Sequence, residues 1–296
     1  MSINILYGNL KPHLWETVTD GIHFVRHALE AAGVPVRVGT NQLDTKAINL
    51  FFDRFYEDPA LPRQLKAGGV RYGLVCTELV GLDGSWNYGL AAESEPGTYA
   101  AFELAARTAD FVWCFHEFSV AACRTMNPRT AYLPLGHLGA MATLADLPWP
   151  ERDIDALLCG MPSSRRDALA ADLGKQGVRM CYPSLPVPLA VRDSLMERSR
   201  LNLSVQKTDR HDVVSVTRIC HSVVNRVPVL LETTDLENPY TKYCLVAPPG
   251  EVSAAVQHHL AHTDLEAWAR ARYDALRAEL PMKAIMERVL TETVSL

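Results

Sequence analysis

What most restricts the fold of this chain is an alternation: short apolar runs, each followed by a longer stretch with helical spacing, along nearly the whole sequence. Strands of a parallel sheet are buried on both faces and so read as near-continuous apolar runs. Each must reach its neighbour by a crossover, usually a helix. The alternation therefore predicts an α/β architecture built on parallel sheet. Residues 3–7 form the first expected strand. A helix follows over 14–32, with Leu14, Val18, Ile22, Val25 and Leu29 at helical spacing and Gly33 and Pro35 as its stop. Further strands are expected at 36–38, 47–52, 71–76, 111–115 and 130–133, with a helix over 97–108.

The pattern breaks once and restarts. Residues 147–152, LPWPER, hold two prolines and no strand or helix period, as a linker would. Strands then fall at 154–159, 178–182, 201–205, 227–232 and 243–246. Helices fall at 165–174, 191–199, 213–224, 252–262 and 265–279, followed by a tail to Leu296. A chain of 296 residues has room for two such domains. The boundaries predicted are 1–146 and 147–296. In open α/β sheets ligands bind beyond the C-terminal ends of the strands, so those edges are where chemistry is sought.

Composition excludes several classes. A net charge of -5 argues against a nucleic-acid partner, which calls for a basic excess. No apolar run reaches 18 residues, so no transmembrane helix is expected, and peripheral contact with a membrane stays open. The first residues lack the pattern of a secretory signal, which points to the cytoplasm. The cysteines are odd in number, irregularly spaced and set in apolar runs such as FVWCF, the setting of buried thiols. Without a CxxC pair, and with His258 and His262 lacking a third ligand, neither a metal nor any other cofactor is expected. The first strand leads into YGNLKPH and not into G-x-G-x-x-G, so a dinucleotide oxidoreductase is poorly supported.

The candidate site residues cluster after expected strands. Strand 201–205 delivers a polar loop containing Lys207, and a helix opens near Asp212 or Ser215. Such a helix N-terminus offers unpaired amides and a positive dipole to a phosphate. Thr217 and Arg218 lie on its first turns, with His221 three residues on along one face. Glu232 ends the next strand at the same edge. Upstream, Gly160, Ser163 and Ser164 form a turn into a helix that begins with Arg165 and Arg166, whose guanidinium forks suit diphosphate oxygens. In the first half, Glu78 follows strand 71–76, and His116 and Glu117 follow strand 111–115, where a general base for a hydroxyl would stand.

These residues carry a resemblance. Leu201-Asn202, Arg218-Ile219, Pro228-Val229 and Glu232, with the strand and turn at 153–166, resemble the donor-binding half of group 1 (GT4-like) glycosyltransferases over most of residues 130–250. The resemblance implies a GT-B fold, two Rossmann-like domains facing a cleft, with residues 1–146 binding an acceptor and 147–296 a nucleotide-sugar donor. It implies that Gly160, Ser163, Ser164, Arg165, Arg166, Lys207, Thr217, Arg218, His221 and Glu232 hold the donor. One of Glu78, His116 and Glu117 would then deprotonate a glycan, lipid-linked, protein or small-molecule acceptor, without a metal. One element departs from the family, whose paired glutamates, with seven residues between them, are replaced here by Val213 and His221. A nucleotide-sugar epimerase or hydrolase, and a non-catalytic sugar-nucleotide-binding protein, are therefore the alternatives.

Overall fold

Two all-parallel sheets account for the apolar runs in the computed structural model, which describes residues 1–6, 15–40, 42–52, 60–87, 96–183, 187–208 and 213–294. Each sheet belongs to one of two units: Met1–Leu135 with Met282–Leu296, and Gly136–Pro281.

In the first unit the strands are β1 (Ile3–Leu6), β2 (Val36–Gly39), β3 (Ile48–Phe52), β4 (Tyr72–Cys76), β5 (Phe111–Cys114) and β6 (Thr130–Tyr132), side by side in the order β2-β1-β3-β4-β5-β6. Residues of β1, β3, β4 and β5 are buried throughout, which is why they read as unbroken apolar runs. The described helices here are α1 (Trp15–Ala31), α2 (Leu61–Ala67), α3 (Pro96–Thr108) and α4 (Glu117–Met126). The sequence pattern gave no signal for α2 or α4. In α2, seven residues with a proline in the first turn bury only Pro62 and Leu65. In α4, the apolar residues run on directly from β5, so the change of period is hidden.

The second unit holds β7 (Ile154–Leu157), β8 (Met180–Cys181), β9 (Ser199–Ser204), β10 (Val229–Glu232) and β11 (Leu245–Ala247), ordered β11-β10-β9-β7-β8. Its described helices are α5 (Ser164–Lys175), α6 (Leu189–Glu197), α7 (Val216–Val224), α8 (Val252–His262) and α9 (Leu265–Glu279). Leu201, Leu203, Leu230 and Val256 are among its core residues. Because β7 lies between β8 and β9, the chain winds one way from β7 to β8 and the other way from β8 to β9. The reversal opens a crevice between the loops that leave β7 and β9.

Two findings move the expected boundaries. Residues 282–296 are not a tail of the second domain: Met282–Thr293 form a helix, α10, belonging to the first unit. Met282, Ile285, Met286, Val289 and Leu290 recur at helical spacing and are buried, and α10 packs on α1, β5 and β6. The buried Trp113 indole donates to Thr293 Oγ1 at 2.9 Å, and Arg288 donates to the Tyr132 carbonyl at 3.0 Å. The other finding is that residues 136–146, assigned above to the first half, belong to the second unit, because their partners lie there. The amides of Thr143 and Leu144 donate to Asn225 Oδ1, Asn225 Nδ2 donates to the Met141 carbonyl, and the Ala145 amide donates to Glu197. Gly136 is the sharpest constraint: a Cβ there would sit 2.1 Å from the Leu280 carbonyl oxygen, beside the 2.7 Å bond from the His137 amide to that same oxygen.

Candidate functional site

The crevice at the carboxyl edge of the second sheet is built from main chain first. Beyond β7 the chain passes through Gly160 at φ +145°, a conformation that disfavours a side chain. It then enters α5 with Ser163 as N-cap, whose hydroxyl accepts the Arg166 amide at 3.3 Å. Beyond β9 the chain continues through Val205, Gln206 and Lys207, and α7 opens after Ser215, whose side chain makes no cap bond.

Arginines hold these two loops together. Arg166 is buried and donates from Nη1 to the Met161 carbonyl (2.7 Å) and from Nε and Nη2 to the Val205 carbonyl (3.2 and 2.6 Å). Arg218 bridges the same pair of loops one step deeper, donating to Cys159 O (2.6 Å) and Leu203 O (3.3 Å). Both guanidinium groups converge on Gly160, where an added Cβ would lie 2.9 Å from Arg166 Nη1 and 3.1 Å from Arg218 Nη2. The acceptors named here are backbone carbonyls, and these bonds fix the geometry of both guanidinium groups. Two guanidinium groups set between the loops thus bring cationic donors to the crevice edge.

Arg165 and Glu232 behave differently. Glu232 is fully buried at the end of β10 and is gripped by both Arg165 nitrogens, one at 2.8 Å. It also accepts the Gln206 amide at 2.8 Å, while Arg165 donates to Gln206 O at 3.2 Å. This pair neutralises itself. Lys207 is half-buried on the same loop and has no hydrogen-bond or ion-pair partner among the described residues. Thr217 is half-buried on the first turn of α7, 3.4 Å from the Ser215 hydroxyl, and Ser164 is exposed at the start of α5.

His221 stands three residues after Arg218 on α7. It is buried against α6, with Nε2 3.3 Å from Asp193 and 3.2 Å from Arg192, and Nδ1 3.4 Å from Asn225. Arg192 and Asp193 carried no sequence signal; only the fold places α6 against α7.

In the first unit, the register of β4 with β5 puts the residues after Cys76 beside those after Cys114. Glu78 and His116 are thereby neighbours in space. Residues 79–87 form a small closed loop. Leu79 N donates to Asn87 Oδ1 at 2.8 Å, Asn87 N to Leu79 O at 3.1 Å, and the Asn87 side-chain amide to the Glu78 carboxylate. Asn87 takes φ +51°, which asparagine tolerates better than most residues, and this is one faint mark the loop leaves in the sequence. Burial of His116 pushes its pKa down to about 4, a hydrogen bond with the Thr77 backbone opposing only in part, so the imidazole is neutral at pH 7. Glu117 is exposed at the first position of α4.

No family model and no curated protein sequence matches the chain. Solved structures do. A trehalose-6-phosphate protein from E. coli bound with UDP-2-fluoro glucose superposes with a TM-score of 0.63 at 11% identity, covering 100% of this chain and 99% of that one. The DNA-modifying enzyme β-glucosyltransferase, solved with and without uridine diphosphoglucose, gives 0.60 at 10% identity and full coverage of both chains. An α,α-trehalose-phosphate synthase (UDP-forming) from Burkholderia vietnamiensis gives 0.55 at 11% identity, with 95% and 80% covered. The fold is GT-B. At these identities the likeness establishes architecture, and function must be argued from the site.

Proposed function

We propose that this chain is a glycosyltransferase that moves a sugar from a nucleotide-sugar donor to a hydroxyl-bearing acceptor. The observation that carries the reading is the switch-point crevice of the second unit, where Arg166 and Arg218 hold the β7 and β9 loops together around Gly160 and Lys207 follows on the second loop. A diphosphate leaving group is what such an edge suits. Charge develops on its bridging oxygen as the glycosidic bond breaks, and preorganised cations lower the barrier most where charge appears. Residues 136–281 thus bind the donor and the first unit presents the acceptor, whether glycan, lipid-linked, protein or small molecule. The structural neighbours hold UDP-glucose or its fluoro analogue, or are described as UDP-forming, so a uridine diphosphate sugar is the first donor to try.

Glu78 is the favoured base, with Asn87 orienting its carboxylate; the buried His116, of low basicity, is less suited, and Glu117 is the exposed alternative. The reading assigns no step to a metal and places the protein in the cytoplasm, which the seven free cysteines suit. Among the described residues no helix is long and apolar enough to cross a membrane.

Thermal-shift titration with UDP, GDP, CMP, dTDP and their sugar conjugates tests the proposal. One nucleotide present at 100 times its Kd should stabilise the protein by about 2.7 kcal/mol. Turnover of the matching sugar with an acceptor supports transfer. Hydrolysis or epimerisation without an acceptor, or binding without turnover, would replace it with the corresponding alternative.

A further inference from the structure

Three thiols meet in the core of the first unit, and the proposed transfer makes no use of them. Cys76 closes β4 and Cys114 closes β5; they are register partners on neighbouring parallel strands, so both side chains leave the sheet on one face. Helix α4 covers that face and contributes Cys123. The three Sγ atoms lie within 4.8 Å of one another, and all three residues are fully buried. Phe102, Ala106, Val120 and Met126 belong to the same apolar cluster.

The spacing fits one centre bound by three sulfurs. Bonds of about 2.3 Å, the length thiolates make to zinc, set three sulfurs around a common atom about 4 Å apart. Charge decides which centre. Zinc(II) with three thiolates leaves one negative charge and a fourth position that wants a water or another donor; copper(I) leaves two negative charges. In an apolar core such uncompensated charge is strongly disfavoured. A trivalent thiophilic element that takes three sulfurs leaves none.

We propose that Cys76, Cys114 and Cys123 form a three-thiol site that captures trivalent arsenic from arsenous acid as a neutral tris-thiolate. Three As–O bonds break and three As–S bonds form. The three thiol protons leave with the three hydroxides as water, and no atom is oxidised or reduced. The reagent reaches the sulfurs through local opening of the unit, so capture is slower than at an exposed thiol. The Cys76 thiol donates to the Glu78 carbonyl at 3.4 Å, so capture also removes one bond that holds the loop after β4. The site stands independently of any transferase activity.

The test uses the full-length reduced protein and sodium arsenite alone. Native mass spectrometry should show one arsenic per chain with the loss of three protons. Cysteine mapping by alkylation, with and without arsenite, should find Cys76, Cys114 and Cys123 gaining protection together while the reactivity of the partly exposed Cys159 and Cys181 is unchanged. Cys76→Ser, Cys114→Ser and Cys123→Ser should each weaken capture on the order of a hundredfold, because a chelate of three becomes one of two. Cys220→Ser should leave it unchanged. If a serine variant does not fold, the proton count and the protection pattern of the unaltered protein still decide. No adduct, loss of fewer than three protons, loss of capture in Cys220→Ser, or zinc or copper(I) held on these sulfurs while arsenite is not, would each overturn the proposal.

Discussion

At the residue scale, cations at one sheet edge do different work, and substitution separates them. Lys207 has no described partner, so Lys207→Ala should leave the melting temperature nearly unchanged while weakening UDP or UDP-sugar binding roughly ten- to a hundredfold, the loss of a charge-assisted bond of about 1.5–3 kcal/mol. Arg218 ties the β7 and β9 loops through Cys159 O and Leu203 O, so Arg218→Ala should lower stability by about 1–3 kcal/mol and weaken donor binding as well. Calorimetry on the folded Arg218→Ala protein separates the two contributions; affinity equal to the parent's would leave Arg218 a purely structural staple. His116 provides a pH test. Its folded pKa of about 4 lies below the ordinary 6.5, so below pH 6.5 the unfolded chain binds the proton more readily. Stability from this group is intact above pH 6.5 and is lost as pH falls toward 4, up to about 3 kcal/mol in all. His116→Asn should flatten that part of a stability-against-pH curve, and an unchanged slope between pH 6.5 and 4 would count against burial as the cause.

At the scale of elements, α10 carries the clearest consequence. Met286 is fully buried on its inner face, and Met286→Ala should cost about 2–5 kcal/mol. The loss should appear in the unfolding transition of the first unit, followed by the fluorescence of Trp86 and Trp113, and not in that of residues 136–281. The strands were legible in sequence because burial on both faces leaves them no polar positions. The crevice loops were legible because Gly160 and Ser163 carry turn and cap chemistry. What could not be read is which partner each polar side chain takes. Arg165 is bonded to Glu232, and His221 to Asp193. Those pairings depend on the packing of α6 and the position of β10, which are long-range. The amphipathic repeat of α10 was present in the sequence; what it lacked was any local mark of the unit it would join.

For the whole molecule, the order of the chain through its two units makes them unequal. Residues 136–281 are contiguous and enclose their own apolar cluster, with Leu201, Leu203 and Leu230 at its centre. The first unit is interrupted: β5 and β6 are complete by residue 132, yet part of their cover, α10, arrives only after residue 281. A fragment of residues 136–281 should therefore fold alone, unfold cooperatively and bind UDP within about tenfold of the full chain, since no donor contact proposed here lies outside it. Residues 1–135 alone should not unfold cooperatively, because Trp113 and the faces of α1 and β6 lose the five apolar residues of α10, each worth about 1.5–3 kcal/mol. That sum is comparable to the stability of a whole domain, about 5–15 kcal/mol. The His137 amide bonds to the Leu280 carbonyl and His137 bridges to Pro281, so the two points where the chain crosses lie side by side. A short Gly/Ser linker, which spans about 5–6 Å times the square root of its length, should thus join residue 135 to residue 282 and restore cooperative unfolding. Circular dichroism melts of the three proteins settle the matter: a 1–135 fragment that melts as sharply as the linked form would show that α10 is not required for the first unit to fold.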